Sequence, residues 1–374
     1  MAPYVALYGL IILGGLLLSY FQNKTPNPAL KQRMKLVYCL GIGVVLISLC
    51  GLRHIAVGFA DNEGYMNMFY AQHDYTLSMA VDSFIHPENY DYQTRDLTFH
   101  LVNVLIAQFF NHHQYSFFFW AIVSFSGFIW LIYRFSPYPA LSFLLLCSLG
   151  HFTFTLSGMR QAAALGVSCF AFKYILERRM VKFLLLIVFS AMLHKSAIVF
   201  LPAYWLSFRV SRKTIIAYVL MALFLYAFSG LVLRVFQSLG GFDSRVENLV
   251  YNTNKLTAWG FIIHTAVFLF CLVYYKQTLD KYPRLTLCYN YLAISSLGLL
   301  YDVLRYSIFF RMVMYYSIFE VILVALTIDT IKDVRQRALY IVGISACCVF
   351  YFFQGIETSA FYPYLFFWED VMSI

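Results

Sequence analysis

The chain has 374 residues, of which 61% are hydrophobic and only 12% charged, about half the charge of an ordinary soluble domain. Apolar runs of roughly 18 or more residues recur along it, each long enough to cross a bilayer as a helix. They predict an all-α polytopic membrane protein and exclude an alternating β-barrel. The net charge of +9 falls in short loops between these runs, where it reads as topology and not as a nucleic-acid surface, so no nucleic-acid partner is expected.

In chain order, the first run starts at Pro3 with no basic segment ahead of it and no small-residue cleavage site, so it reads as a retained span. Basic residues cluster in five connections: Lys24, Lys31, Arg33 and Lys35; Arg178, Arg179 and Lys182; Arg209, Arg212 and Lys213; Lys276, Lys281 and Arg284; and Lys332, Arg335 and Arg337. The positive-inside rule puts all five in the cytoplasm and the N-terminus outside. The connection from Arg53 to Asp96 is acidic instead, with Asp61, Glu63, Asp74, Asp82, Glu88, Asp91 and Asp96 against Arg53 and Arg95, as suits an outer loop.

Parity then constrains two segments. Leu97 to Phe110 is only about 14 residues and must begin and end outside, which predicts a short interfacial helix. Phe183 to Phe208 must begin and end inside, and its polar break at His194–Lys195 predicts two short tilted helices meeting near the outer face. The alternative is one long span with Arg209 to Lys213 outside. The spans run approximately over 4–21, 35–52, 115–134, 138–156, 158–176, 182–194, 196–208, 214–237, 259–276, 286–304, 311–331 and 338–354. These twelve crossings return the C-terminal segment to the outside, with Tyr362, Tyr364 and Trp368 as an interfacial anchor. The chain thus reads as one transmembrane domain, 1–374, with an outer loop and interfacial helix at about 53–114. The eight cysteines all lie in apolar stretches and none belongs to a CxxC, so neither a disulfide framework nor a zinc site is expected.

Unusual polar residues collect at the outer ends of the spans. Arg53 ends the second, with Asp61 following. Asp96, His100 and Asn103 fall at i, i+4 and i+7 of the interfacial helix and so share one stripe. Ser157 and Arg160 begin the fifth span, His194 and Lys195 sit at the apex of the helix pair, and Arg305, Arg311 and Tyr315 mark the outer end of the eleventh. Each has a plainer reading: an arginine snorkels to headgroups, a histidine packs at an interface, and Asp96 caps its helix. Arg160 resists this, because it lies about a turn inside a span, beside Gln161, where an ionised group faces a polar cavity or partner.

Gly158, Ala162 and Gly166 form a small-residue stripe on that helix, and Arg160 points about 160° away from the stripe's start. Several cations around one pocket imply an anionic ligand, and arginine suits phosphate. Asp61, Asp96 or His194 beside them would serve as a general base. No HExxH, GxSxG, Walker loop or DxD pair is present, and no metal or cofactor is expected. His264 and Glu320 lie deeper, and each reads as an intramembrane ionisable group engaged in inter-helix hydrogen bonding.

The stretches "FTLSGMRQAAALGVSCFAFKYILERR", "SAMLHKSAIVFLPAYWL" and "RYSIFFRMVMYYSIFEVIL" resemble the EpsG/Wzy-like polysaccharide polymerases of bacterial envelopes. Gly158, Arg160, Gln161, His194, Ser196, Arg311 and Tyr315 match the family pattern as they stand. "GLRHIAVGFAD" spaces Gly58 and Asp61 one residue wider than the family's early element. "RDLTFHLVN" has Asp96 at the family's Glu position and Leu97 where Pro is usual.

The resemblance implies an O-antigen-type repeat-unit polymerase of the bacterial inner membrane, on a GT-C-like scaffold, with its site facing the periplasm. Such an enzyme transfers a glycan from undecaprenyl pyrophosphate to a lipid-linked repeat unit without a metal, among membrane lipids and beside a chain-length regulator. Arg160 and Arg311 would then hold the donor pyrophosphate, with Arg53, Lys195, Gln161, Tyr315, His100 and Asn103 assisting. His194, Asp96 or Asp61 would be the base. A lipid-linked sugar flippase, an O-antigen ligase and a membrane acyltransferase are the rival readings.

Overall fold

The computed structural model describes residues 1–58, 60–86, 89, 96–208, 210–228, 231, 256–304 and 309–369. In chain order the helices are α1 (Ala2–Lys24), α2 (Pro28–Gly51), α3 (Ala60–Ala71), α4 (Leu77–Ile85), α5 (Leu97–Phe109), α6 (Gln114–Phe135), α7 (Pro139–Ser148), α8 (His151–Thr155), α9 (Met159–Leu176) and α10 (Met180–Leu193). A 3₁₀ segment, Lys195–Tyr204, follows. Then come α11 (Arg212–Ala227), α12 (Leu256–Val273), α13 (Tyr275–Lys281), α14 (Leu287–Leu304), α15 (Phe309–Ser317), α16 (Glu320–Asp329) and α17 (Val334–Ile356). Their starts follow local chemistry. The Asn27 side chain accepts the Ala29 N–H at 2.9 Å ahead of Pro28 at the first turn of α2, and Asp333 accepts from Arg335 at 2.8 Å to open α17.

Among the described residues, five helical runs are long and apolar enough to cross a membrane: α1, α2, α6, Phe309–Asp329 and α17; a sixth counts if α12 and α13, bent by 66°, are one broken span. That is fewer than the twelve expected crossings, and several of the expected spans are shorter apolar helices, Pro139–Ser148 and Met180–Leu193 among them. The segment expected over 138–156 breaks at Gly150, whose φ of +86° is open to glycine and costly for other residues. The pair expected over 182–208 breaks at His194, whose extended backbone ends α10. The predicted span over 214–237 lies partly outside the described residues, α11 covering Arg212–Ala227, and Arg305 and Arg209 lie outside them too.

Two faces can be told apart from contacts alone. On one, the Tyr4 hydroxyl donates to the Phe361 carbonyl at 2.7 Å and the Tyr364 hydroxyl to the Leu49 carbonyl at 2.6 Å. There the His54 N–H donates to Leu365 at 2.8 Å, Gly58 to Ala360 at 3.0 Å, and Arg53 pairs with Phe366 as an isolated antiparallel bridge. The start of α1, the end of α2 and the tail after α17 therefore share this tail face. On the other, Arg178 donates to the Tyr204 carbonyl at 3.3 Å and to Ser207, and Lys281 pairs with Asp329 at 2.6 Å. The chain leaving this basic face at α10 thus reverses at His194 and returns by Tyr204, as two short segments and not one long span.

The core forms where α6, α9 and α10 pack. A Cβ on Gly127 would sit 1.8 Å from the Gly166 carbonyl oxygen, and one on Gly166 would sit 2.4 Å from that of Ser124, so α6 and α9 touch backbone to backbone. Ser190 donates to the Ala164 carbonyl at 2.5 Å and lies 2.8 Å from the Ser168 hydroxyl, tying α10 to the next side of α9. With two of its sides packed, α9 holds Arg160 at its first turn on a fixed backbone.

Candidate active site at the tail face

Asp96 immediately precedes α5 but does not cap it; its side chain makes no bond to the helix N-terminus. One oxygen, Oδ2, instead lies 3.0 Å from Nη1 of Arg160 and 3.2 Å from Nδ1 of His194. The backbone N–H of Lys195 also donates to the carboxylate. The entrance of α5, the first turn of α9 and the break after α10 thereby converge on one carboxylate. The Asp96 side chain is only 4% exposed, whereas Arg160 and His194 are 36% and 28% exposed, so the anion lies beneath and its two partners reach solvent. Burial alone would push the Asp96 carboxyl up; the His194 ring, the Arg160 guanidinium and the Lys195 N–H outweigh it and hold the group below the usual carboxylate range.

The Nδ1–H bond to a carboxylate assigns the ring proton of neutral His194 to Nδ1. No described residue bonds Nε2, which is left as a lone-pair acceptor, the tautomer a general base requires. Arg160 lies over the Tyr65 ring at 5.7 Å and the Phe99 ring at 6.0 Å. Its Nε is buried without a hydrogen-bond partner. A buried guanidinium N–H left without an acceptor is costly.

The other matched residues adjoin this cluster through α15. Gln161 donates to the Arg311 carbonyl at 2.5 Å, and the Ser196 hydroxyl lies 3.0 Å from that of Tyr315. The Tyr316 hydroxyl donates to Val199 at 2.8 Å, docking the 3₁₀ segment on the same helix. The Arg311 side chain is exposed, as is that of Lys195, so two further cations stand open on this face. Asp61 is exposed on the first turn of α3 and acts electrostatically on Arg160.

Of the residues expected to assist with substrate, Gln161 and Tyr315 are buried on protein partners, and three more are absorbed by the frame. Arg53 is 1% exposed; it donates to Cys50 and, at 2.9 Å, to Asn62, and its guanidinium covers the Phe117 ring at 4.2 Å. Both His100 ring nitrogens are engaged, with Gln72 at 2.6 Å and Ser83 at 3.1 Å, and burial pulls its pKa down to about 4. The Asn103 oxygen accepts from Ser116 at 2.7 Å and Trp120 at 2.8 Å, fastening α5 to α6.

Two contributors were not anticipated. Asn62 donates to the carbonyls of Leu156, at 2.9 Å, and Val57, so the Arg53–Asn62 pair props the loop that leads into α9. Tyr65 follows Asp61 by four residues on α3, the spacing that puts both on one helix face toward Arg160. His264 and Glu320 make inter-helix hydrogen bonds as expected, and the partner each finds is the other, at 2.7 Å.

Fold and site together define a multi-pass helical membrane protein with a carboxylate, histidine and arginine paired at one end of the helix bundle. The chain belongs to the EpsG family, whose model matches residues 36–366. Membership supports, in general terms, a role like that of a polysaccharide polymerase. No curated protein and no solved structure matches the chain.

Proposed function

We propose that the protein is a metal-independent glycosyltransferase that polymerises oligosaccharide repeat units carried on undecaprenyl pyrophosphate. The observation that carries this is the single carboxylate of Asp96 bonded to both Arg160 and His194. It joins a phosphate-binding cation to an oriented base, which is what transfer from a pyrophosphate donor needs. Basic clusters on the opposite face make the tail face periplasmic under the positive-inside rule, in the bacterial inner membrane, with twelve crossings on a GT-C-like scaffold. A chain-length regulator is the protein partner in this reading.

Nε2 of His194 takes the proton of the acceptor hydroxyl, whose oxygen bonds to the anomeric carbon of the donor glycan. The bond from that carbon to the pyrophosphate breaks, and its electron pair leaves with the phosphate oxygen. Arg160, with Arg311 and Lys195, stabilises the charge that develops there. Asp96 orients the ring and stabilises the imidazolium; held below the usual carboxylate range, it is itself too weak a base for a hydroxyl.

Incubation of the purified protein with a defined undecaprenyl-linked repeat unit, with EDTA present, should yield polymer whose linkage can be read. Equal polymerisation by wild type and Arg160→Ala sinks the mechanism. Deletion in the native host separates the rivals: a lost polymerase leaves single repeat units on the lipid anchor, a lost ligase leaves none, and a lost flippase strands units inside.

A further inference from the structure

Two clefts meet beside the candidate site. One, of about 280 Å³, lies among Gly150, Phe154, Ser157, His264, Phe310 and Phe361. The other, of about 360 Å³, lies between α12 and α17 against α7 and α16, with Ile263, Ala266, Phe270, Val324, Ile344 and Tyr351 among its walls. Leu149 lines both, and consecutive residues of α12, Ile263 and His264, line one each, so the clefts adjoin and together make one candidate channel.

The position of this channel limits what can fill it. Its upper end reaches Ser157, three residues before Arg160, and Phe310, the neighbour of Arg311. Its lower end is shut toward the basic face, where the Tyr274 hydroxyl donates to that of Tyr340 at 3.1 Å and the Phe270 and Tyr340 rings meet at 5.2 Å. Above that closure α12 and α17 are lipid-facing helices: Ile262 and Leu269 are 49% and 56% exposed, and Val342 and Phe350 are 68% and 69% exposed. An occupant must therefore be apolar, enter from the bilayer, and end at the cations.

We propose that this channel holds the prenyl tail of the pyrophosphate lipid whose head is bound by Arg160 and Arg311. The proposal rests on the polymerase reading for the identity of that lipid. Size agrees with a single chain. An apolar cavity of roughly 150 Å³ takes one benzene, so the lower cleft takes roughly two groups of that size, a few isoprene units and not the paired chains of a phospholipid. Seating the first tail units beside the cations fixes the anomeric carbon relative to His194, so tail binding contributes to the position of the reacting bond.

The test uses the full chain in nanodiscs and a prenyl pyrophosphate with a photoreactive group on its tail. Label is expected on Ile263–Phe270 and Tyr340–Tyr351, displaced by excess unlabelled prenyl pyrophosphate but not by phosphatidylglycerol. Val267→Trp, which fills the channel from its wall, should cut that label on the order of tenfold, while Leu269→Trp, on the lipid side of the same helix, should leave it at the wild-type level. Label elsewhere, unchanged label in Val267→Trp, or equal displacement by phosphatidylglycerol overturns the proposal. A labelled channel in a protein that extends no glycan defeats the polymerase reading and leaves the lipid site standing; extension with label outside the channel does the reverse.

Discussion

Nδ1 of His194 lies 3.2 Å from Oδ2 of Asp96, across 98 residues of chain and beside a guanidinium bonded to the same oxygen. The carboxylate therefore has two tasks: it fixes the tautomer of His194 and holds the cation next to it. A ligand oxygen arriving at Arg160 would compete with Asp96 for the guanidinium and leave the carboxylate to His194 and the Lys195 N–H.

Asp96→Asn keeps the size of the side chain and removes its charge, so the amide no longer specifies the Nδ1–H tautomer. Polymerisation by the purified variant should fall by about 10²–10⁴-fold, the usual worth of a positioned acid or base. Loss of rate matched by an equal loss of thermal stability would assign Asp96 a purely structural part.

Arg160→Ala should lower kcat by about 10²–10³-fold, as removal of a transition-state charge contact does. Arg160→Lys restores the charge but not the planar fork, so it should recover only part of the rate. Measuring kcat and KM for both variants separates donor binding from leaving-group stabilisation.

Gly58 has a φ of +102°, and a Cβ there would lie 2.9 Å from the Leu156 carbonyl oxygen, next to the loop that delivers Arg160. Gly58→Ala should cost about 1–3 kcal/mol and reduce activity by displacing that loop. Thermal unfolding in detergent, read beside the polymerisation rate, checks both effects.

His264 and Glu320 bridge α12 to α16 in the interior, and Glu320 is fully buried. Glu320→Ala leaves its partner unpaired and should cost about 3–5 kcal/mol, whereas the double change to leucine at both positions should cost much less. Denaturant titration of the three variants measures the difference.

Acidification should loosen the cap formed by α3, α4 and α5. His100 is buried neutral with its folded pKa at about 4, below the unfolded value near 6.5. Its contribution is complete above pH 6.5 and is lost as pH falls through about 4, because the unfolded state binds the proton first. Asp96, also depressed, adds a second loss below the ordinary carboxylate range. His100→Gln should flatten the first limb of a stability–pH curve and leave the second.

The convergence of Asp96, Arg160 and His194 was legible because ionisable side chains in so apolar a chain have few permitted places, and span parity put all three on one face. His100 and Asn103 were misplaced for a related reason. They share the Asp96 stripe, but periodicity shows only that residues lie on one side of a helix. It does not show that the side meets Gln72 and Ser83 at one level and Trp120 at another. Arg53 carried no local sign of its burial, since the segment that bridges to it comes from the tail at Phe366. The broken helices were half legible: His194–Lys195 is polar and announced its break, while the one at Gly150 depends on a positive φ amid apolar neighbours.

The clasp between the tail and the end of α2 also sets an order of events. Residues 360–366 hold Leu49, Arg53, His54 and Gly58 in place, the Tyr364–Leu49 bond spanning 315 positions. A chain made from its N-terminus inserts its early helices long before the tail exists. The backbone around Arg53 and Gly58 therefore gains its tail partners only after the early helices are in place.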